Sequence, residues 1–179
     1  MRLYNTLSRQ IEPVRPLQDG VVSMYSCGPT VYRSPHIGNF RSYIMADWIK
    51  RILISEGFDV VHAKNITDVG HMRQDRLEEE EDKVIAAALS AGKTPEQIAS
   101  FYTNIFLKDE ELLGIMPASY LPKATEHIKE MIELIDILRG IDYAYEVDGN
   151  VYFSVSMSET YGNLSGNREN SLREAVRVE

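Results

Sequence analysis

An α/β fold built on a parallel βαβ unit is what this chain predicts, and three observations carry that expectation. Residues 21–27, Val-Val-Ser-Met-Tyr-Ser-Cys, form a β-branched and aromatic run that Gly28-Pro29 ends. Phe40, Tyr43, Ile44, Trp48, Ile49, Ile52 and Leu53 then recur at helical spacing. Residues 58–64 read as a second strand after Gly57, which stands where a helix-terminating glycine is expected. Strand, helix and strand in that order make a right-handed crossover, with both strands ending on the same sheet edge.

The loop between the first strand and the helix, Cys27-Gly28-Pro29-Thr30-Val31-Tyr32-Arg33-Ser34-Pro35-His36-Ile37-Gly38-Asn39, therefore leaves a strand's carboxyl end and opens a helix. In open α/β sheets nucleotides bind at such places. A histidine at the helix entry can donate to a phosphate oxygen, and a glycine two residues on lets a ligand approach the backbone. The helix N-terminus adds a positive dipole end. Read alone, the same tetrapeptide is equally a capping histidine with a turn glycine. Asn65-Ile66-Thr67-Asp68 follows the second strand and is expected beside Cys27 and His36; Thr67 and Asp68 also suit simple caps.

The rest of the chain reads as mostly helical. Glu78-Glu79-Glu80-Glu81-Asp82 is a like-charge run of the solvated kind. Residues 83–91 form one helical pattern, ended by Gly92. Residues 95–113 form another, with Thr94 as N-cap, Pro95 at the first helical position and Gly114 after the end. Residues 125–138 form a third, whose stripe of Ile128, Met131, Ile132, Ile135 and Leu138 is expected to be core, with Gly140 beyond it. Residues 143–153 are two alternating runs around Asp148-Gly149, a hairpin pattern. A polar tail follows Tyr161-Gly162.

Composition bounds the function. The 179 residues are 44% hydrophobic and 26% charged, the mix of an ordinary globular domain. No apolar run reaches the ~20 residues of a membrane helix, and Met1-Arg2-Leu3-Tyr4 does not open a secretory signal. No membrane partner and a cytoplasmic location are expected. The net charge of −8 opposes general binding to a phosphate backbone. A single cysteine, Cys27, excludes an intramolecular disulfide and fits a reducing compartment. Zinc needs three or four protein ligands, and Cys27 with His36, His62, His71 and His127 does not assemble a convincing set. His71 and Asp75 match no strong metal spacing.

These motifs together resemble the N-terminal half of a cysteinyl-tRNA synthetase, a class I aminoacyl-tRNA synthetase. The resemblance rests on Tyr25-Ser26-Cys27-Gly28-Pro29-Thr30-Val31-Tyr32, on His36-Ile37-Gly38-Asn39 with Arg41-Ser42 and Asp47, and on Asn65-Ile66-Thr67-Asp68-Val69. Glu81-Asp82-Lys83, Gly149-Asn150-Val151-Tyr152-Phe153 and Tyr161-Gly162-Asn163-Leu164-Ser165-Gly166 extend it over nearly the whole chain. It implies the first half of a Rossmann-type parallel sheet of the HIGH superfamily, helix-rich, with the start of an α+β connective insertion. Residues 1–124 would be the catalytic half-domain and 125–179 the beginning of the insertion, a helix plus hairpin with a polar tail.

The implied activity is ATP-dependent conversion of cysteine to cysteinyl-adenylate, then transfer to tRNA(Cys). His36 and Asn39 would be catalytic, and Thr30, His36, Gly38 and Asn39 would bind ATP. Cys27, Gly28 and Thr67 would bind cysteine, with Cys27 the first ligand of a zinc ion that holds the substrate thiolate and rejects serine. The family's other zinc ligands and its Lys-Met-Ser-Lys-Ser loop lie past residue 179. The nearest string, Val155-Ser156-Met157-Ser158, has no lysine. The isolated chain is accordingly expected to be weak or inactive. Two other readings stand beside this one: a non-catalytic half-synthetase that binds nucleotide, a cysteine-like ligand or a protein partner, and a ligase joining cysteine to an amino sugar. A half sheet is also expected to leave an open edge for self-association or a partner to cover.

Overall fold

The computed structural model describes residues 1–69 and 92–166. The helix expected over 83–91, the acidic run, His71, Asp75 and the tail beyond 166 lie outside the described residues. The chain divides into two compact units, residues 15–128 and residues 1–14 with 129–179.

The first unit is the βαβ unit. Strand β3 (Val21–Ser26) pairs in parallel with β4 (Asp59–Lys64), from Val21 opposite Asp59 to Ser26 opposite Lys64. Helix α1 (Ile37–Ser55) makes the crossover. Gly57 terminates it at φ +90, a conformation in which a side chain is strained. Helix α2 (Pro95–Leu112) starts as its sequence predicts: the Thr94 hydroxyl accepts from the Gln97 N–H, and the Gln97 side chain accepts from the Thr94 N–H. Gly114 follows its end at φ +67.

The core of this unit lies between α1, α2 and the loops that leave the sheet. Val31, Phe40, Tyr43, Ile66, Ile98, Ala99, Phe106 and Ile115 form one buried cluster. Tyr43 meets Phe106 edge-on with ring centroids 5.2 Å apart, and Phe40 stacks on Phe106 at 6.3 Å. The buried stripe of α1 is less apolar than its sequence implies. Asp47 and Lys50 are buried in it, while Trp48 and Ile52 are exposed. The reason is polar anchoring. Asp47 accepts from the Met116 N–H at 2.8 Å and from Arg51 Nε at 2.7 Å, and Lys50 Nζ donates to the Pro117 carbonyl at 2.7 Å.

Past Pro117 the chain runs parallel to the free edge of β4. The Lys64 N–H donates to the Tyr120 carbonyl at 3.0 Å, and the Ile66 N–H to the Pro122 carbonyl at 2.8 Å. This stretch therefore covers one of the two sheet edges. Among the described residues no strand pairs with the outer edge of β3.

The second unit holds two hairpins and a helix. Strands β1 (Arg2–Asn5) and β2 (Gln10–Pro13) pair antiparallel, an element the sequence reading passed over. Helix α3 (Ile128–Gly140) begins three residues later than expected, because residues Ala124–His127 wind as a 3-10 turn. The Asp68 carboxylate fixes that turn by accepting from the Thr125 N–H at 3.0 Å and from its hydroxyl at 2.6 Å. The expected core stripe of α3 is not core: none of its residues is buried, and Ile128, Met131, Ile132 and Ile135 are exposed. Strands β5 (Ala144–Val147) and β6 (Asn150–Phe153) form the expected hairpin. Asp148 and Gly149 have φ 50 and 74, the double positive of a type I′ turn.

Candidate functional site

The two loops that leave β3 and β4 are bound to each other. The Thr67 N–H donates to the Pro29 carbonyl at 3.0 Å, and the Val31 N–H donates to the Thr67 carbonyl at 3.1 Å. Thr30 and Thr67 thus form a parallel bridge beyond the ends of the two strands. Cys27, Gly28, Thr30 and Thr67 are brought together at the carboxyl edge of the sheet, where the βαβ reading placed them.

Gly28 is required by a close approach. A Cβ at that position would lie 1.8 Å from the Asn65 backbone oxygen, so any side chain would force the loops apart. Asn65 adds side-chain bonds. Its Oδ1 accepts from the Gly28 N–H at 2.9 Å and from the Tyr25 hydroxyl at 2.9 Å, and its Nδ2 donates to Thr67 Oγ1 at 2.9 Å. In the sequence Asn65 stands out only as part of a motif. Its spacing gives no sign that its side chain bridges two chain segments.

His36 caps α1. Its Nδ1 accepts from the Gly38 N–H at 3.0 Å, and its own N–H donates to Asn39 Oδ1 at 3.0 Å, a reciprocal capping box. An accepting Nδ1 is unprotonated, so the neutral ring carries its hydrogen on Nε2. Capping therefore uses Nδ1 and leaves the Nε2 side of the ring outside the cap. Gly38 serves the cap, since a Cβ there would lie 2.9 Å from His36 Cε1. The Gly38 and Asn39 N–H groups are taken up by His36, so an anion at this helix end would meet the Nε2 hydrogen and the dipole. His36, Gly38 and Asn39 are all exposed.

Beneath the loops lies a buried ion pair that the sequence reading missed. Lys64, fully buried, is hydrogen-bonded to Glu110 of α2. Its Nζ also stands 5.5 Å from the Tyr43 ring centre and 5.6 Å from that of Phe106. Burial pushes the Glu110 carboxyl upward against the opposing pull of Lys64. Burial, and then Glu110, pushes the Tyr43 hydroxyl up to about 12. His62 lies behind Ser26, with Nε2 2.8 Å from its hydroxyl. Burial holds its imidazole below the ordinary value, helped by the charges of Lys64 and Lys50.

Cys27 is an exposed free thiol. Among the described residues no group of three or more His, Cys, Asp or Glu side chains could hold a metal ion. These residues do not fit a complete zinc site, and zinc has no part in the function proposed below. A cleft of about 650 Å³ opens beside Asp68, between α2 and the turn at Lys123, Thr125 and Glu126. None of the seven predicted site residues lines it. No described helix is long and apolar enough to cross a membrane.

The parallel βαβ unit, with its loops leaving the carboxyl edge of the sheet, has the Rossmann-type fold of class I aminoacyl-tRNA synthetases. Solved structures share it. A LeuRS of Agrobacterium radiobacter K84, solved with tRNA and LeuAMS, aligns with a TM-score of 0.57 at 20% identity, over 73% of this chain and 16% of its own. The methionyl-tRNA synthetase of Mycobacterium tuberculosis, solved with methionyl-adenylate, aligns with a TM-score of 0.57 at 18% identity, over 74% of this chain and 28% of its own. At such identities the likeness is one of fold.

The family is set by sequence. Residues 13–179 match the model of the class I (C) tRNA synthetase catalytic domain, and the chain belongs to that family. The cysteine–tRNA ligase of Desulfitobacterium hafniense is 42% identical over 100% of this chain and 35% of its own length. That of Chlorobium chlorochromatii is 45% identical over 99% of this chain and 37% of its own. That of Pyrococcus horikoshii is 40% identical over 100% and 35%. The chain thus spans about a third of the length of the curated relatives it matches.

Proposed function

We propose that this chain forms the cysteine- and ATP-binding front of a site that makes cysteinyl-adenylate, the first step toward charging tRNA with cysteine. The observation that carries the reading is the joining of the Cys27–Thr30 and Asn65–Thr67 loops at one sheet edge, beside a helix entered through His36. The relatives' name, cysteine–tRNA ligase, supplies the amino acid and the acceptor. A cytoplasmic location fits the exposed free thiol of Cys27.

Each role follows from chemistry on these atoms. The Gly28 backbone and the Thr67 hydroxyl form the walls against which the amino acid lies. Cys27 contributes its thiol to the same rim. His36 Nε2 donates to a phosphate oxygen as charge builds there, and the α1 dipole favours the same negative charge. Asn39 holds the His36 backbone and so fixes the ring. Thr30, one residue past Pro29, faces the same edge through its bridge to Thr67. Removing one preorganised donor of this kind costs about 2.7–4 kcal/mol of transition-state stabilisation.

Ligand titration followed by amide NMR tests the proposal on the chain itself. Cysteine should shift the Gly28 and Thr67 signals, and ATP should shift the His36 ring and the Asn39 amide. His36→Ala should abolish the ATP response and leave the cysteine response in place. No response of Gly28 and Thr67 to cysteine, or an ATP response that survives His36→Ala, would reject it. Cysteine-dependent ATP–pyrophosphate exchange then measures how much of the chemistry the chain supports.

A further inference from the structure

Asn65 lies directly after β4, and its side chain reaches both Gly28 and Thr67. The direction of every hydrogen bond in this cluster follows from one member. The Gly28 N–H can only donate, so the Asn65 amide oxygen must face it. The Asn65 NH₂ group therefore faces Thr67, and since an amide N–H₂ also only donates, Thr67 Oγ1 accepts. An accepting hydroxyl keeps its own hydrogen to give elsewhere. With the amide so oriented, the Tyr25 hydroxyl donates to the same Asn65 Oδ1.

We infer that Asn65 is a positioning residue that sets the hydrogen-bond polarity of the amino-acid pocket. It pins the Gly28 backbone and turns the Thr67 hydroxyl into a donor aimed at an acceptor atom of the ligand, a carboxylate or a thiolate. The inference rests on the functional reading above for the identity of the ligand, and on geometry alone for the clamp. It explains why the loop after β4 needs an amide. An aspartate would satisfy Gly28 equally well but could not donate to Thr67.

The two halves are tested separately. Asn65→Ala removes the acceptor from Gly28, so hydrogen exchange of the Gly28 amide should accelerate at least about tenfold. Asn65→Asp keeps that acceptor and should leave Gly28 protected, which keeps the test open if the alanine variant fails to fold. In Asn65→Asp the Thr67 hydroxyl must donate to the new carboxylate and present a lone pair to the ligand. The dissociation constant for cysteine should rise at least about tenfold. In a Thr67→Val background the same Asn65→Asp change should add little, since the hydroxyl it acts through is gone.

Unchanged Gly28 exchange in Asn65→Ala overturns the clamp, whether or not any ligand binds. A full tenfold loss from Asn65→Asp in the Thr67→Val background also overturns the inference, because it would reflect charge repulsion alone. A wild-type chain that binds no cysteine counts against the functional reading instead, and the Gly28 exchange result then decides the clamp.

Discussion

Residues 15–128 and residues 1–14 with 129–166 draw on similar amino acids but place them differently. All the described residues that are buried lie in the first group. There Phe106 has 0% exposure, and even Lys64 and His62 are enclosed. In the second group α3 carries an equally regular apolar stripe, yet Ile132 is 54% exposed. Helical periodicity shows which face of a helix wants cover. It does not show whether the cover is in hand. In the first unit the cover is supplied from within the unit, Phe106 of α2 closing over Phe40 and Tyr43 of α1, and the site is mounted on that closed core.

The sharpest way to break this contrast is a matched pair of truncations. Phe106→Ala should cost about 3–5 kcal/mol, the usual price of a large core cavity. Ile132→Ala should fall within about 0.5 kcal/mol of wild type. Urea unfolding followed through Trp48 reads the first, since that single tryptophan lies in α1, and hydrogen exchange of α3 amides reads the second. An Ile132→Ala loss as large as that of Phe106→Ala would mean the α3 stripe is covered after all.

The next effect concerns the polar part of the same core. Glu110→Gln leaves the Lys64 ammonium buried without its countercharge, and breaking a buried pair in this way costs about 3–5 kcal/mol. The double variant Lys64→Met with Glu110→Leu removes both charges and should recover most of that loss. Failure of the double variant to recover would show that Lys64 and Glu110 act on something other than each other. Lys64 precedes Asn65, so the same variants should loosen the Gly28 amide, while Ile132→Ala should not.

What could be read from the sequence follows the same division. Strand β3, helix α1, strand β4 and helix α2 were legible because each has its own punctuation: Gly28-Pro29, Gly57, Thr94-Pro95 and Gly114. The Asp148-Gly149 hairpin was legible for the same reason. The β1–β2 hairpin was not, since its turn holds no glycine and Arg9 takes the positive φ of 57 itself. The stretch beside β4 was hidden by Pro117 and Pro122, which argue against a strand, although the Pro122 carbonyl still accepts from Ile66. The site was legible as a set of residues and a shared edge. The Asn65 bonds and the Lys64–Glu110 pair were not, because contacts across 37 and 46 residues leave no periodic trace.

The smallest effect should come with pH, and it again belongs to one unit. His62, Lys50, Glu110 and Tyr43 are the described groups with shifted titration, and all lie in residues 15–128. The His62 imidazole is depressed by burial, so below its ordinary value of about 6.5 the unfolded chain binds a proton that the folded chain refuses. Stability should therefore fall as pH drops through that range, and level off once the folded ring also protonates. Glu110 opposes this slope. Its carboxyl is raised by burial, so above the ordinary carboxylate value the folded state holds a proton more readily than the unfolded one and gains as pH falls. The His62 contribution must be read as a difference. The wild-type stability minus that of His62→Gln, measured by urea unfolding from pH 7.5 to 5, should decline with pH, whereas either curve alone mixes two opposite slopes. A difference that stays flat would mean that the folded chain protonates His62 as readily as the unfolded one, against the burial of its ring.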